Sequence, residues 1–149
     1  MTKEEIQYLL HKYHLRPRKE QGQHFLLDES VVATILNAAH CSTDDMVLEI
    51  GPGFGILTRA LVERASRVIA VEQDRDIFPF LQQLTTIHSN LQPFCADIRR
   101  VNRFELGLGD MQYCLVANLP YSIASWVIRE FCEVAPRPAR MVIMIQKEV

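Results

Sequence analysis

Met46-Val47-Leu48-Glu49-Ile50-Gly51-Pro52-Gly53-Phe54-Gly55 is the stretch from which the fold can be read. Five largely apolar residues run straight into three glycines at alternate positions. That is the pattern of a short buried strand followed by a loop whose backbone turns tightly and approaches something closely. Residues 56–65 then predict a helix, with Leu57, Ala60 and Leu61 on one face. Residues 67–72 predict a second strand, apolar almost throughout, as strands covered on both faces are. Residues 76–87 read as a helix with Ile77, Phe80, Leu81 and Leu84 inward, where Pro79 is tolerated because it falls in the first turn. Residues 91–95 and 113–117 are the third and fourth strands, residues 123–134 a helix carrying Ile123, Trp126, Val127 and Phe131 in register, and residues 141–145 a fifth strand. Strands alternating with helices in this way imply an α/β fold, a parallel sheet with helices on both faces. Ligands of such sheets lie at the carboxyl ends of the strands, beside the switch in strand order. The residues just after each strand are therefore the candidates for chemistry.

Upstream of this array, residues 2–14 predict a helix, with Thr2 and Glu5 as a capping box and Ile6, Leu9, Leu10 and Tyr13 as one apolar stripe. Pro17 stops it, residues 16–23 form a polar connector, and a second helix spans residues 28–40 with Val31, Val32, Ile35, Leu36 and Ala39 inward. A length of 149 residues, 48% hydrophobic and 23% charged, suits one compact domain. No apolar run is long enough to span a bilayer. The N-terminus carries Glu4 and Glu5 and no apolar core of a secretory signal, so a cytoplasmic location is expected. Cys41, Cys95, Cys114 and Cys132 contain no C-x-x-C pair, which argues against a zinc site and fits unpaired core or near-surface thiols in a reducing compartment. No metal is expected.

The net charge of −2 does not announce a nucleic-acid binder. Basic residues nevertheless cluster at Lys12, His14, Arg16, Arg18 and Lys19, at Arg99, Arg100 and Arg103, and at Arg137 and Arg140. Each cluster fits either contact with nucleic acid or plain solvated surface, so charge is permissive here and no more.

The strand ends are more informative. Glu49-Ile50-Gly51-Pro52-Gly53-Phe54-Gly55 has the spacing G-x-G-x-G, not the G-x-G-x-x-G of dinucleotide enzymes, so an uncharged nucleoside or an amino-acid end suits it better than a pyrophosphate. Glu72 follows the second strand, 21 residues beyond Gly51, where a carboxylate can accept both ribose hydroxyls; the other reading is a solvated acid. Asp97 and Ile98 follow the third strand. Asp97 there can accept from the exocyclic amine of an adenine with Ile98 against the ring, or simply cap the next segment. Asn118-Leu119-Pro120-Tyr121 follows the fourth strand and is the most specific feature of the chain. The exocyclic nitrogen of adenine is a poor nucleophile because its lone pair is delocalised into the ring. An Asn oxygen and a backbone carbonyl can accept its two N–H bonds, Pro120 stiffens the loop and removes a competing donor, and Tyr121 can stack on an extruded base. Asn-Pro turns also occur in ordinary loops; the position after the fourth strand is what singles this one out.

From about Arg18 onward the chain resembles the N-terminal part of the KsgA/RsmA ribosomal RNA adenine dimethyltransferases, relatives of the Erm resistance methylases. The resemblance rests on Gly22-Gln23-His24-Phe25-Leu26, Leu48-Glu49-Ile50-Gly51-Pro52-Gly53, Val71-Glu72, Asp97, Asn118-Leu119-Pro120-Tyr121 and Gln146-Lys147-Glu148-Val149. It implies a Rossmann-like methyltransferase fold that binds S-adenosylmethionine. By it, Gln23, His24 and Leu26 close over the cofactor, Gly51 packs near its methionine portion, Glu72 holds the ribose and Asp97 the adenine amine. Glu49, Gly53, Gln73, Ile98 and Asn118 complete the cofactor set, and Asn118, Leu119, Pro120 and Tyr121 hold the target adenine. The implied reaction is direct in-line transfer to two neighbouring adenosines of small-subunit ribosomal RNA in the 30S particle, mostly a matter of positioning, with the nitrogen losing its proton after attack. Ser122 stands where the family commonly has Asn. The resemblance also implies that residues 1–149 are a methyltransferase domain that stops after its fifth strand, short of two further strands and a small helical domain, which leaves an open sheet edge. Rival readings are an NAD-type oxidoreductase, against which the glycine spacing and the Asn118 motif count, a methyltransferase-like RNA-binding factor or catalytically incompetent fragment, and an Erm-like large-subunit methylase.

Overall fold

The computed structural model describes residues 3–12 and 28–145. Helix α1 spans Lys3–Lys12 with Glu4 and Glu5 in its first turn, where acids suit the helix dipole. The partner residues of its expected capping box and of its stripe, Thr2 and Tyr13, lie outside the described residues. Helix α2, Glu29–Ala39, is capped at both ends: Asp28 accepts from the Ser30 amide at 2.8 Å, and His40 turns left-handed and returns its N–H to the Leu36 carbonyl.

Strands β1 (Met46–Ile50), β2 (Arg67–Glu72) and β3 (Leu91–Cys95) match the sequence-based boundaries. The helices between them are shorter than expected. Helix α3 is Ile56–Val62 instead of running to residue 65, because the Asn90 side-chain amide donates to the Val62 and Ala65 carbonyls and closes that end. Helix α4 is Phe78–Leu84. Its start is delayed where the Asp74 carboxylate takes the Asp76 N–H, and its end comes where the Thr85 and Thr86 hydroxyls donate to the Gln82 and Gln83 carbonyls. Strand β4 (Tyr113–Asn118) reaches one residue further than expected. Helix α5 (Tyr121–Glu133) begins two residues earlier, because the Pro120 carbonyl already accepts the Ile123 N–H. Strand β5 is Arg140–Met144.

The five strands form one parallel sheet in the order β3-β2-β1-β4-β5. The chain winds outward from β1 to β3, then crosses back to place β4 on the other side of β1, so the switch point lies between β1 and β4. The register aligns Ile50 with Val71 on one side and Ala117 on the other, bringing the carboxyl tips of the three central strands level. Alternation sorts the core into two layers. Val47, Val68, Ala70, Cys114 and Val116 pack under α2, α3 and α4. Leu48, Ile50, Ile69, Val71, Leu115 and Ala117 pack under α5 and the β3–β4 connection. Leu10 of α1 rests on Phe54 and Ile77 beside the glycine loop. No helix among the described residues is long and apolar enough to cross a membrane.

Two of the three basic clusters are largely spent on internal partners. Arg99 binds Asp97, Arg137 binds Asp110 at 2.9 Å, and Arg140 lies 3.5 Å from Asp45. Arg103 is only 8% exposed; its guanidinium lies 4.4 Å from the Phe131 ring centroid and 3.3 Å from Glu130, tying the β3–β4 connection to α5. Most of this charge therefore pairs with acids of this chain, at partly exposed positions for Arg99, Arg137 and Arg140 and within the core for Arg103. The cluster at 12–19 falls outside the described side chains. Of the cysteines, Cys114 is buried and Cys41 partly so, while Cys95 and Cys132 are exposed.

Candidate functional site

The apolar run of β1 ends where Gly51 donates its N–H to the Val71 carbonyl at 3.0 Å and turns to a φ of +69°. A side chain here would be strained by that φ, and its Cβ would lie 3.8 Å from the Asn118 carbonyl oxygen. The glycine loop and the Asn118 loop thus meet across the switch point. Gly55, at φ +78°, needs its missing side chain for a second reason: a Cβ would sit 2.7 Å from Leu84 of α4.

Glu72 fastens this loop to the tip of β2. Its Oε2 accepts the Gly53 N–H at 3.0 Å and its Oε1 the Asp74 N–H at 2.8 Å. At 4% exposed it is not the solvated acid of the alternative reading. Burial pushes its carboxyl above the ordinary range, against the pull of those amides.

The strand tips surround a cleft of about 330 Å³. Glu49, Gly51 and Gly53 line it from β1 and its loop, Glu72 and Gln73 from β2, Asp97 and Ile98 from β3, and Asn118, Leu119 and Pro120 from β4. Every described member of the expected cofactor set is therefore brought to one cavity. Gln23, His24 and Leu26 lie outside the described residues. Tyr121, expected against the target base and not in the cofactor set, is the first residue of α5, 53% exposed, and not among the cleft-lining residues. Residues that the sequence reading did not single out also contribute. Ile123 of α5 and Met144 of β5 line the cleft, and the Met144 carbonyl accepts the Leu119 N–H at 3.0 Å, steadying the loop from the neighbouring strand. Thr58, in the first turn of α3, donates its hydroxyl to Glu49 at 2.7 Å. Nothing in the local pattern marks Met144 or Thr58, since both reach the site only through packing.

Asp97 caps the turn that follows β3 and is also one of the cleft-lining residues. Its Oδ1 accepts the Arg99 N–H at 3.0 Å, capping the 3₁₀ turn Ile98–Arg100. The Arg99 guanidinium forks the same carboxylate, with Nη2 at 2.7 Å from Oδ2. That side-chain bond holds the Asp97 carboxyl below the usual carboxylate range. Arg99→Ala is expected to raise the Asp97 pKa, read by carboxyl-carbon NMR titration; an unchanged value would mean the fork does not persist in solution. The stability that this pair contributes is present above the unfolded carboxylate pKa and is lost as pH falls through the depressed one.

With this geometry in hand, the likeness to known proteins is specific. Residues 14–149 match the family model described as Ribosomal RNA adenine dimethylase. The ribosomal RNA small subunit methyltransferase A of Dehalococcoides mccartyi is 43% identical over 141 residues, which is 95% of this chain and 48% of the relative. Among solved structures, a dimethyladenosine transferase from Plasmodium falciparum superposes with a TM-score of 0.73 at 28% identity, over 84% of this chain and 44% of that one. The 23S rRNA methyltransferase ErmE follows with a TM-score of 0.65 at 29% identity, over 80% and 45%. The chain spans about half the length of the curated relatives it matches. A methyltransferase fold, a glycine loop pressed against the Asn118 turn, and a family match over nearly the whole chain agree: the chain belongs to the ribosomal RNA adenine dimethylase family.

Proposed function

We propose that this chain is an N-terminal methyltransferase domain that binds S-adenosylmethionine and dimethylates N6 of adenosines in small-subunit ribosomal RNA. The observation that carries this is the single cleft shared by the Gly51 and Asn118 loops, 3.8 Å apart at the position of a Gly51 Cβ. The cleft suits the cofactor chemically. Glu72 and Asp97 offer carboxylate oxygens, the ribose hydroxyls and the adenine amine are donors, and Gly51 leaves its space open. The cofactor, when bound, supplies an activated methyl group on a sulfonium.

In this reading the protein binds and orients. Glu72 holds the ribose, Asp97 the cofactor's adenine amine with Ile98 against the ring, and Gln23, His24 and Leu26 close the site. Glu49, Gly51, Gly53 and Gln73 line the methionine and ribose side. The Asn118 side-chain oxygen and the Leu119 carbonyl accept the two N–H bonds of the target adenine, drawing its nitrogen toward a pyramidal shape, and Tyr121 stacks on the base from its exposed position. The small ribosomal subunit is the proposed partner and the cytoplasm the proposed location.

Calorimetry with S-adenosylmethionine followed by methylation of undermethylated small subunits tests the proposal. Binding together with dimethyladenosine in small-subunit RNA is the expected result. Absence of binding would refute the cofactor assignment. Binding without transfer would favour an RNA-binding role, and transfer confined to large-subunit RNA would favour the activity named for ErmE.

A further inference from the structure

Two carboxylates share the cleft wall, and their surroundings differ. Glu72 accepts two backbone amides, which stabilise its charge. Glu49, on β1, shares the sheet face of Val47 and so points under α3, where it is 1% exposed. Among the described residues, it accepts a hydrogen bond from the neutral Thr58 hydroxyl at 2.7 Å. Beside it β4 presents Val116, α3 presents Thr58, and β2 presents Ala70, with Glu72 two residues further on. Among the described residues, the charged group that acts on Glu49 is thus a like charge, Glu72.

An anion in such a place is costly without a cation. We propose that Glu49 carries a proton in the ligand-free cleft and surrenders it when a sulfonium cation enters, so that binding of the methyl donor is coupled to proton release. The proposal rests on the cofactor assignment above. In the step, the carboxyl O–H bond breaks, its electron pair stays on the oxygen, the proton passes to solvent, and nothing is oxidised or reduced. Once the methyl group has left, the thioether is neutral, the Glu49 carboxylate loses its counter-charge, and a proton returns. The cleft thereby favours the charged donor over the uncharged product. Burial is the main cause that pushes Glu49 up to about 8, with the Thr58 hydroxyl acting in the opposite sense and Glu72 adding to the rise.

Titration calorimetry in buffers of differing ionisation enthalpy at pH 7 reads the protons directly. For the wild-type chain, the heat of S-adenosylmethionine binding is expected to vary with the buffer more than for Glu49→Gln, by a difference approaching one proton released. S-adenosylhomocysteine is expected to release fewer protons than the methyl donor. The ligand's own amino group titrates alike against both proteins, so their difference isolates Glu49. Below pH 8 the wild-type affinity is expected to rise by up to about tenfold per pH unit relative to Glu49→Gln. Equal buffer dependence in the wild type and the variant overturns the proton linkage alone, and equal release by donor and product overturns the role given to the sulfonium. Absence of heat in every buffer overturns the cofactor assignment together with this proposal.

A ligand-free measurement stands beside these. Because the native carboxyl holds its proton between the ordinary 4.5 and about 8, rising pH across that window is expected to destabilise the wild type relative to Glu49→Gln. The protonated-carboxyl infrared band of the empty protein is expected to vanish in the variant; its absence from the wild type overturns the proposal.

Discussion

Asn118→Ala is expected to lower single-turnover methyl transfer by on the order of 10²–10³-fold, the scale seen when one preorganised polar group is removed from a developing charge. Affinity for S-adenosylmethionine is expected to stay within about threefold, a change of well under 1 kcal/mol. The separation follows from where the residue sits. Asn118 is the last residue of β4, across the switch point from the Gly51 loop, and its backbone is held by the sheet through pairing with Met144. The strand pairing uses backbone groups, which the alanine variant retains. The substitution removes the proposed acceptor for the target nitrogen while Glu72 and Asp97, the proposed cofactor ligands, keep their places on β2 and after β3. Loss of cofactor binding along with transfer would show that Asn118 belongs to the cofactor pocket and would overturn the role proposed for it.

Glu72→Gln is expected to do the reverse. Both carboxylate oxygens accept backbone N–H groups, from Gly53 and from Asp74, so an amide nitrogen must face one of these donors. A buried donor left unpaired costs about 1–3 kcal/mol, which corresponds to cofactor affinity about 10–100-fold weaker if the Gly53 side gives way. The melting temperature should fall as well, since the same carboxylate fastens the glycine loop in the ligand-free protein. Calorimetry and thermal unfolding on the same preparation check both effects. Unchanged affinity with a lowered melting temperature would leave Glu72 as a loop fastener and remove it from the cofactor site. The two variants together separate holding the target from holding the donor.

The fold was legible in the sequence because its strands are short, apolar and punctuated. Met46–Ile50 runs into glycine, and Arg67–Glu72 ends on an acid. A strand buried on both faces has little freedom in composition, so its limits show locally. Helix ends were less legible. Those of α3 and α4 are set by Asn90, by the Asp74 carboxylate and by the Thr85 and Thr86 hydroxyls, and the first of these acts from beyond the next strand. The expected site residues Gly51, Glu72, Asp97 and Asn118 were legible for a topological reason: in a parallel sheet, whatever follows a strand lies at the same end as whatever follows its neighbours.

The sequence by itself determined the order of strands and helices, the end of the sheet where the candidate site lies and the polar groups gathered there. Only the tertiary structure decided their states. It buried Glu49 against Thr58, gave both oxygens of Glu72 to backbone amides, forked Asp97 with Arg99, carried Tyr121 out onto the first turn of α5 and brought Met144 to steady Leu119. Periodicity and spacing report which way a side chain faces along its own element. Burial, and the partner met there, depend on which other element packs against it, and that pairing is settled only when the whole sheet has closed on its helices.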